Sequence, residues 1–294
     1  MTEILRTPPA RDEVQNRVAV LMEALPYIRE FAGATIVIKY GGAAMTMPEL
    51  KASFARDIAL LKLVGMNPIV VHGGGPDISR YSDRLGLEVR FVHGLRVTDA
   101  PTMELVKMVL VGKINKEIVA QLQVAGVDAV GLAGDDGGLI RATKTEIEDA
   151  DLGFVGHVER IDARVLERLD DFVPVVASVA VDDQGQSYNI NADTVAGALA
   201  AALRARKVIF LTDVEGLRGD ASDPASLISE CDLAELARLI ADGAVSSGMI
   251  PKLRAVEDAL TSGVEAAHII DGRVPHSVLM ELFTEAGIGT KITA

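Results

Sequence analysis

The chain has 294 residues, 49% hydrophobic and 24% charged, so it can bury a sizeable core, and its length suits one large α/β unit or two lobes sharing a sheet. Its net charge of −13, from 29 Lys and Arg against 42 Asp and Glu, argues against a general nucleic-acid binder, whose affinity comes from clustered cations. The single cysteine, Cys231, rules out an intrachain disulfide, and there is no apolar run of about 18 residues or more, so a cytoplasmic protein without a membrane segment is expected.

In chain order, Val14, Val18, Leu21, Met22, Leu25 and Ile28 fall on one face at helical spacing. Asp12 stands as a cap, Pro8-Pro9 as an upstream stop, and Pro26 should kink or shorten the last turn. From residue 35, β-branched runs alternate with helical stretches. TIVIK (35–39) precedes a helix over 48–64, PIVVH (68–72) one near 77–86, and a long helical stretch covers 100–125. Then come VDAVGLA (127–133), DFVPVV (171–176), a helix over 191–205, KVIFLTD (207–213), a helix over 249–262, AAHIID (266–271) and a last helix over 275–286. Continuous apolar strands between helices predict an α/β fold, an open, mostly parallel central sheet with helices on both faces. Residues 139–160 and 178–188 break the rhythm and read as antiparallel hairpins laid on the sheet. The predicted division is an N-terminal helix (1–30), an N-lobe (31–180) and a C-lobe (181–294).

Two neighbouring strand ends are rich in glycine: Lys39-Tyr40-Gly41-Gly42 and His72-Gly73-Gly74-Gly75. At the carboxyl ends of parallel strands, glycines let backbone N–H groups approach an anion. Neither loop fits the GxxxxGK(S/T) phosphate loop or the GxGxxG dinucleotide fingerprint. Further on, Asn189 and Asp193 flank Asn191, which reads as the plain cap of an Ala-rich helix. SSGMIPK (246–252) opens another helix and brings Lys252 to its first turn, where a cation opposes the helix dipole unless an anion is near. His93, His157, His268 and His276 lack metal-ligand spacing, so no metal site is expected, and Cys231, just before a helix, is expected to be inert.

KYGG, VVHGGG, HGLRVT, NINADTVAGALA, LTDVEG and GMIPKL occur in that order, and together they resemble the amino acid kinase family from about residue 12 to the end. HGLRVT and NINAD point within it to the branch that phosphorylates N-acetyl-L-glutamate on its side-chain carboxylate in arginine biosynthesis, rather than to carbamate, aspartate or uridylate kinases. The resemblance implies ATP with Mg²⁺ as phosphoryl donor. It implies that Lys39 and Lys252 grip the transferring phosphoryl and that Asp193 holds both lysines. N–H groups of Gly42, Gly73 and Gly74 would line the oxygens, Arg96 would pair with the substrate α-carboxylate, and Asn189 would bind its polar backbone. Thr212, Asp213 and Gly248 would belong to the nucleotide side. A carboxylate acceptor is already ionised at neutral pH, so no general base is required.

A helix ahead of the first strand is similar to that of the arginine-inhibited hexamers of this branch, trimers of dimers joined through such helices. Tyr27, Lys207, His268, Glu281 and Gly287 match their inhibitor pocket, with Glu281 facing a guanidinium and loop N–H groups near Gly287 receiving a carboxylate. A PII-type signalling protein joins L-arginine among the expected partners; nucleic acid and membrane do not. Two alternatives stay open at this point: a relative with another acceptor (carbamate, glutamate or a nucleoside monophosphate), and a non-catalytic arginine sensor.

Overall fold

The structure, a computed structural model, describes residues 11–294 apart from 221, 222, 244, 246, 247 and 286. The expected Pro8-Pro9 stop, the side chains of Asp12 and Val14, and Ser246-Ser247 lie outside the described residues.

The chain opens with α1 (Arg11–Phe31), β1 (Thr35–Tyr40), α2 (Pro48–Leu63), β2 (Asn67–His72) and α3 (Gly75–Leu85). A short hairpin, β3 (Phe91–Val92) and β4 (Leu95–Arg96), leads to α4 (Ala100–Lys107), a wide turn over Met108–Ile114, and α5 (Asn115–Val124). Next come β5 (Ala129–Leu132), β6 (Ile140–Lys144), β7 (Gly156–Ile161), β8 (Val173–Ala177), β9 (Val179–Val181) and β10 (Ser187–Asn189). The remainder is α6 (Ala192–Ala202), β11 (Lys207–Thr212), β12 (Glu230–Asp232), α7 (Leu233–Ala241), α8 (Ile250–Thr261), β13 (Ala266–Asp271), α9 (Ser277–Phe283) and β14 (Thr290–Thr293).

Eight strands form one sheet in the order β12-β14-β13-β11-β1-β2-β8-β5, parallel from β13 to β5, with β14 antiparallel to β13. The expected α/β fold is present. The two expected antiparallel hairpins, β6–β7 and β9–β10, are present, and a parallel contact between β9 and β6 joins them into a separate four-stranded sheet. Because side chains alternate across a strand, the central sheet divides two cores. Ile36, Ile38, Val70, Ile209 and Ile270 face one, with Leu110, Ile114, Val278 and Phe31. Val37, Val71, Val208 and Phe210 face the other, with Leu199 of α6 and Leu253 and Val256 of α8. This parity places the polar residues of the central strands: Lys39 falls on the α6/α8 face, while His72, Lys207 and His268 fall on the opposite one.

Several expected boundaries move. α1 passes through Pro26 and ends at Phe31, whose ring is buried, so packing carries the helix beyond the proline. The last helix stops at Phe283, and Thr290–Thr293 form β14. The long stretch over 100–125 is interrupted by the wide turn, in which the Asn115 N–H reaches Leu110 O, five residues back. No described helix is long and apolar enough to cross a membrane.

Candidate active site

The order of strands reverses between β11 and β1, and an open cleft lies at the carboxyl ends beside that reversal, where ligands bind in such sheets. Its walls are Gly41, Gly42 and Thr46 after β1, Gly73 to Asp77 after β2, and Asn191 to Asp193 at the start of α6. At about 230 Å³ it suits a small polar group rather than the roughly 300–1,000 Å³ occupied by a drug-sized ligand.

Asp193 organises the floor. Its carboxylate lies 3.1 Å from Lys39 Nζ through Oδ1 and 2.9 Å from Lys252 Nζ through Oδ2. Burial raises the pKa of this carboxyl, but the two ammonium groups more than offset that and hold it below the usual carboxylate range. Burial, then the neighbouring Lys39 charge, lowers the Lys252 pKa, while Asp193 opposes both. Lys252 sits in the first turn of α8 and Asp193 in the first turn of α6, so the carboxylate compensates the cation where the helix dipole does not. Asn191 caps α6, accepting from the N–H of Asp193 at 2.7 Å and of Thr194 at 3.3 Å.

Two of the loop glycines, Gly42 and Gly74, leave no room for a side chain. Gly42 has φ +66°, and a Cβ there would run into the Asp213 carboxylate. Asp213 Oδ1 accepts from Ala43 N at 2.6 Å, so the residue expected on the nucleotide side fastens the first glycine loop. A Cβ on Gly74 would meet Leu110 and Ile114. Thr212 Oγ1 accepts from Val214 N at 2.9 Å, shaping the turn after β11, and Gly248 stands two residues before α8.

Arg96 is buried beside the cleft rather than in its wall. Its Nη2 donates to Gly75 O at 3.0 Å and Ser79 Oγ at 2.7 Å, its guanidinium lies over the Phe91 ring, and its Nη1 is buried without a partner. Asn189 Nδ2 donates to Thr98 Oγ1 at 3.2 Å, and that hydroxyl donates to Arg96 O at 2.8 Å. Ser79 and Thr98 are contributors that the sequence reading missed, although Thr98 ends HGLRVT.

A second buried polar cluster lies on the other face of the sheet. His268 Nδ1 is 2.6 Å from Glu281 Oε1, Lys207 Nζ is 3.1 Å from His268 Nε2, and Glu281 Oε2 accepts from Ile288 N at 2.8 Å and Gly289 N at 3.2 Å. Burial works against the charge of Glu281, but these hydrogen bonds hold its pKa below the ordinary value. The carboxylate and loop N–H groups expected to face a ligand thus engage each other. Gly287, at φ +60°, brings the loop so close that a Cβ would press on Glu281. Tyr27 packs on the adjoining core, and the Lys207 ammonium lies over the Phe31 ring at 5.0 Å. With its side chain only 4% exposed, Glu281→Ala should cost about 3 kcal/mol in chemical denaturation, by stranding His268 and two N–H groups. A loss below about 0.5 kcal/mol would show a solvated side chain instead.

Residues 34–271 match the amino acid kinase family. The chain belongs to that family. Among the relatives of this amino acid kinase, an acetylglutamate kinase of Symbiobacterium thermophilum is 57% identical over 285 residues, 94% of this chain and 97% of the relative. One of Nostoc sp. is 55% identical over 284 residues, covering 96% and 95%. The N-acetylglutamate synthase of Neisseria gonorrhoeae, solved with coenzyme A and N-acetyl-glutamate, superposes with a TM-score of 0.84 at 26% identity over 94% of this chain. This chain spans 63% of that protein's length. The same synthase solved with coenzyme A and L-arginine gives a TM-score of 0.78 at 25% identity, covering 94% and 65%.

Proposed function

We propose that this amino acid kinase transfers the ATP γ-phosphoryl group to the side-chain carboxylate of N-acetyl-L-glutamate, giving N-acetyl-L-glutamyl 5-phosphate for arginine biosynthesis. The observation that carries the reading is the Lys39–Asp193–Lys252 bridge at the mouth of two glycine loops, in a chain that aligns nearly end to end with acetylglutamate kinases. Two anions must meet here, and the obstacle is charge rather than proton transfer. Lys39 and Lys252 neutralise the phosphoryl as it moves, and N–H groups of Gly42, Gly73 and Gly74 bind its oxygens. Asp193 holds the two lysines in place without acting as a base. Arg96, with a buried nitrogen left unpaired, pairs with the substrate α-carboxylate, and Asn189 binds the polar substrate backbone nearby. Thr212, Asp213 and Gly248 border the nucleotide. Lysines and N–H groups suit phosphate oxygens rather than a cation, so Mg²⁺ enters as part of MgATP, held by phosphates and water.

Residues 31–180 then carry the acceptor site and dimer contact, and 181–294 the nucleotide and arginine sites. Product chemistry tests the assignment. Hydroxylamine added to a turnover mixture should trap an acyl phosphate as the hydroxamate of N-acetylglutamate. ADP release with no hydroxamate would refute carboxylate transfer.

Regulation by L-arginine fits the second cluster, whose internal pairs a guanidinium and a carboxylate could replace. Val18, Leu21, Met22 and Leu25 on α1 are exposed, which suits a helix that joins dimers into a hexamer of roughly 190 kDa, six copies of 31.1 kDa. A PII-type signalling protein is the further partner of this reading. Removing residues 1–28 should give an active dimer with weakened arginine inhibition, read by sedimentation and an arginine titration. A full-length dimer indifferent to arginine would refute the regulation and leave the catalytic assignment standing.

A further inference from the structure

His72 ends β2 immediately before the second glycine loop, and the proposed reaction has no use for its ring as acid or base. The ring is fully buried on the α5 face of the sheet, with Nδ1 3.0 Å from Gly73 O and Nε2 3.1 Å from Asn115 Nδ2. Asn115 is also fully buried, and its Nδ2 lies 2.8 Å from Val175 O and, more distantly, 3.4 Å from Leu132 O. An amide nitrogen only donates and a carbonyl oxygen only accepts, so one assignment closes the network. Asn115 donates to Val175 O and to His72 Nε2, and His72 donates from Nδ1 to Gly73 O. The reversed amide would set Oδ1 against the Val175 carbonyl.

The surroundings keep this arrangement. A Cβ on Gly131 would strike Asn115 Oδ1, so that glycine leaves room for the amide. The wide turn over Met108–Ile114 rotates the helix so that Leu110 and Ile114 press on Gly74 while Asn115 reaches His72. Wide turns of this kind recur at functional sites. The described chain has no cis peptide bond, so the Gly74 N–H points away from the Gly73 carbonyl. Holding that carbonyl fixes the direction of an N–H whose residue lines the cleft.

We propose that His72 and Asn115 form a positioning pair: Asn115 locks the ring, the ring holds the Gly73 carbonyl, and the Gly74 N–H is thereby aimed at the transferring phosphoryl group. The proposal rests on the phosphoryl-transfer reading above. Burial above all lowers the His72 pKa to about 4, so the ring stays neutral and the donor does not change with pH near neutrality.

Nitrogen NMR of the full-length enzyme labelled at histidine tests the pair directly, with His72→Asn used to assign the signal among five histidines. The expected spectrum has Nδ1 protonated and Nε2 bare, unchanged between about pH 5 and 8. His72→Leu should lower kcat about 10–100-fold with the KM for ATP nearly unchanged. His72→Asn, whose amide can reach Gly73 O as Nδ1 does, should recover most of the loss. His72→Gln, whose amide stands in for Nε2, should not, and it decides if the leucine variant does not fold. A wild-type ring protonated at Nε2, or equal kcat in His72→Leu and wild type, overturns the positioning role in an active enzyme. A wild-type protein that phosphorylates no acceptor overturns the underlying function instead, whichever tautomer the spectrum shows.

Discussion

Lys252→Ala is expected to lower kcat by about 10²–10³-fold while changing the KM for ATP far less, and Lys39→Ala should behave similarly. Both ammonium groups meet one carboxylate at 3.1 and 2.9 Å, so each is held at a fixed point before substrate arrives. A preset charge acts most on the state in which negative charge is moving. Because burial and Lys39 lower the Lys252 pKa, its charge should be lost in the free enzyme below the ordinary lysine range. kcat/KM should therefore fall on the alkaline side, a limb that Lys252→Arg, still charged there, should move upward. Steady-state kinetics across pH reads both effects. A near-normal kcat in either alanine variant would remove that lysine from the phosphoryl site.

Arg96→Ala should raise the KM for N-acetyl-L-glutamate roughly 10–100-fold, the cost of losing a charged hydrogen-bonded contact. The guanidinium also supports Gly75 and Ser79, so some fall in kcat is expected too. Arg96→Lys separates the two roles, since it keeps the charge and loses the fork. Its acceptor KM should stay well above wild type, and the KM for ATP should change little in both variants. An unchanged acceptor KM in Arg96→Ala would place the α-carboxylate elsewhere.

Much of this site could be read in the sequence because its residues sit at element ends. Lys39 and the glycines close short apolar strands, and Asp193 and Lys252 lie in first turns of helices, so strand parity and helix starts bring them together. Side chains meeting across the sheet were not legible in this way. Nothing local in the sequence couples His72 to Asn115, 43 residues away, because that contact depends on the wide turn before α5. Glu281 reads as an ordinary helix-surface acid until β13 brings His268 beneath it. The strands β12 and β14 have three and four residues, too short for a periodic signal, and they form through their pairing with each other and with β13. Pro26 does not shorten the helix for a related reason: a local breaker is outweighed when a buried Phe31 lies five residues further on.

The most direct test of the central claim is ADP release from MgATP by the full-length protein, measured separately with N-acetyl-L-glutamate, L-glutamate, carbamate and nucleoside monophosphates. Sustained turnover with N-acetyl-L-glutamate at a kcat/KM far above that of every other acceptor is the expected result. Turnover with another acceptor and none with N-acetyl-L-glutamate, or with no acceptor at all, would contradict it.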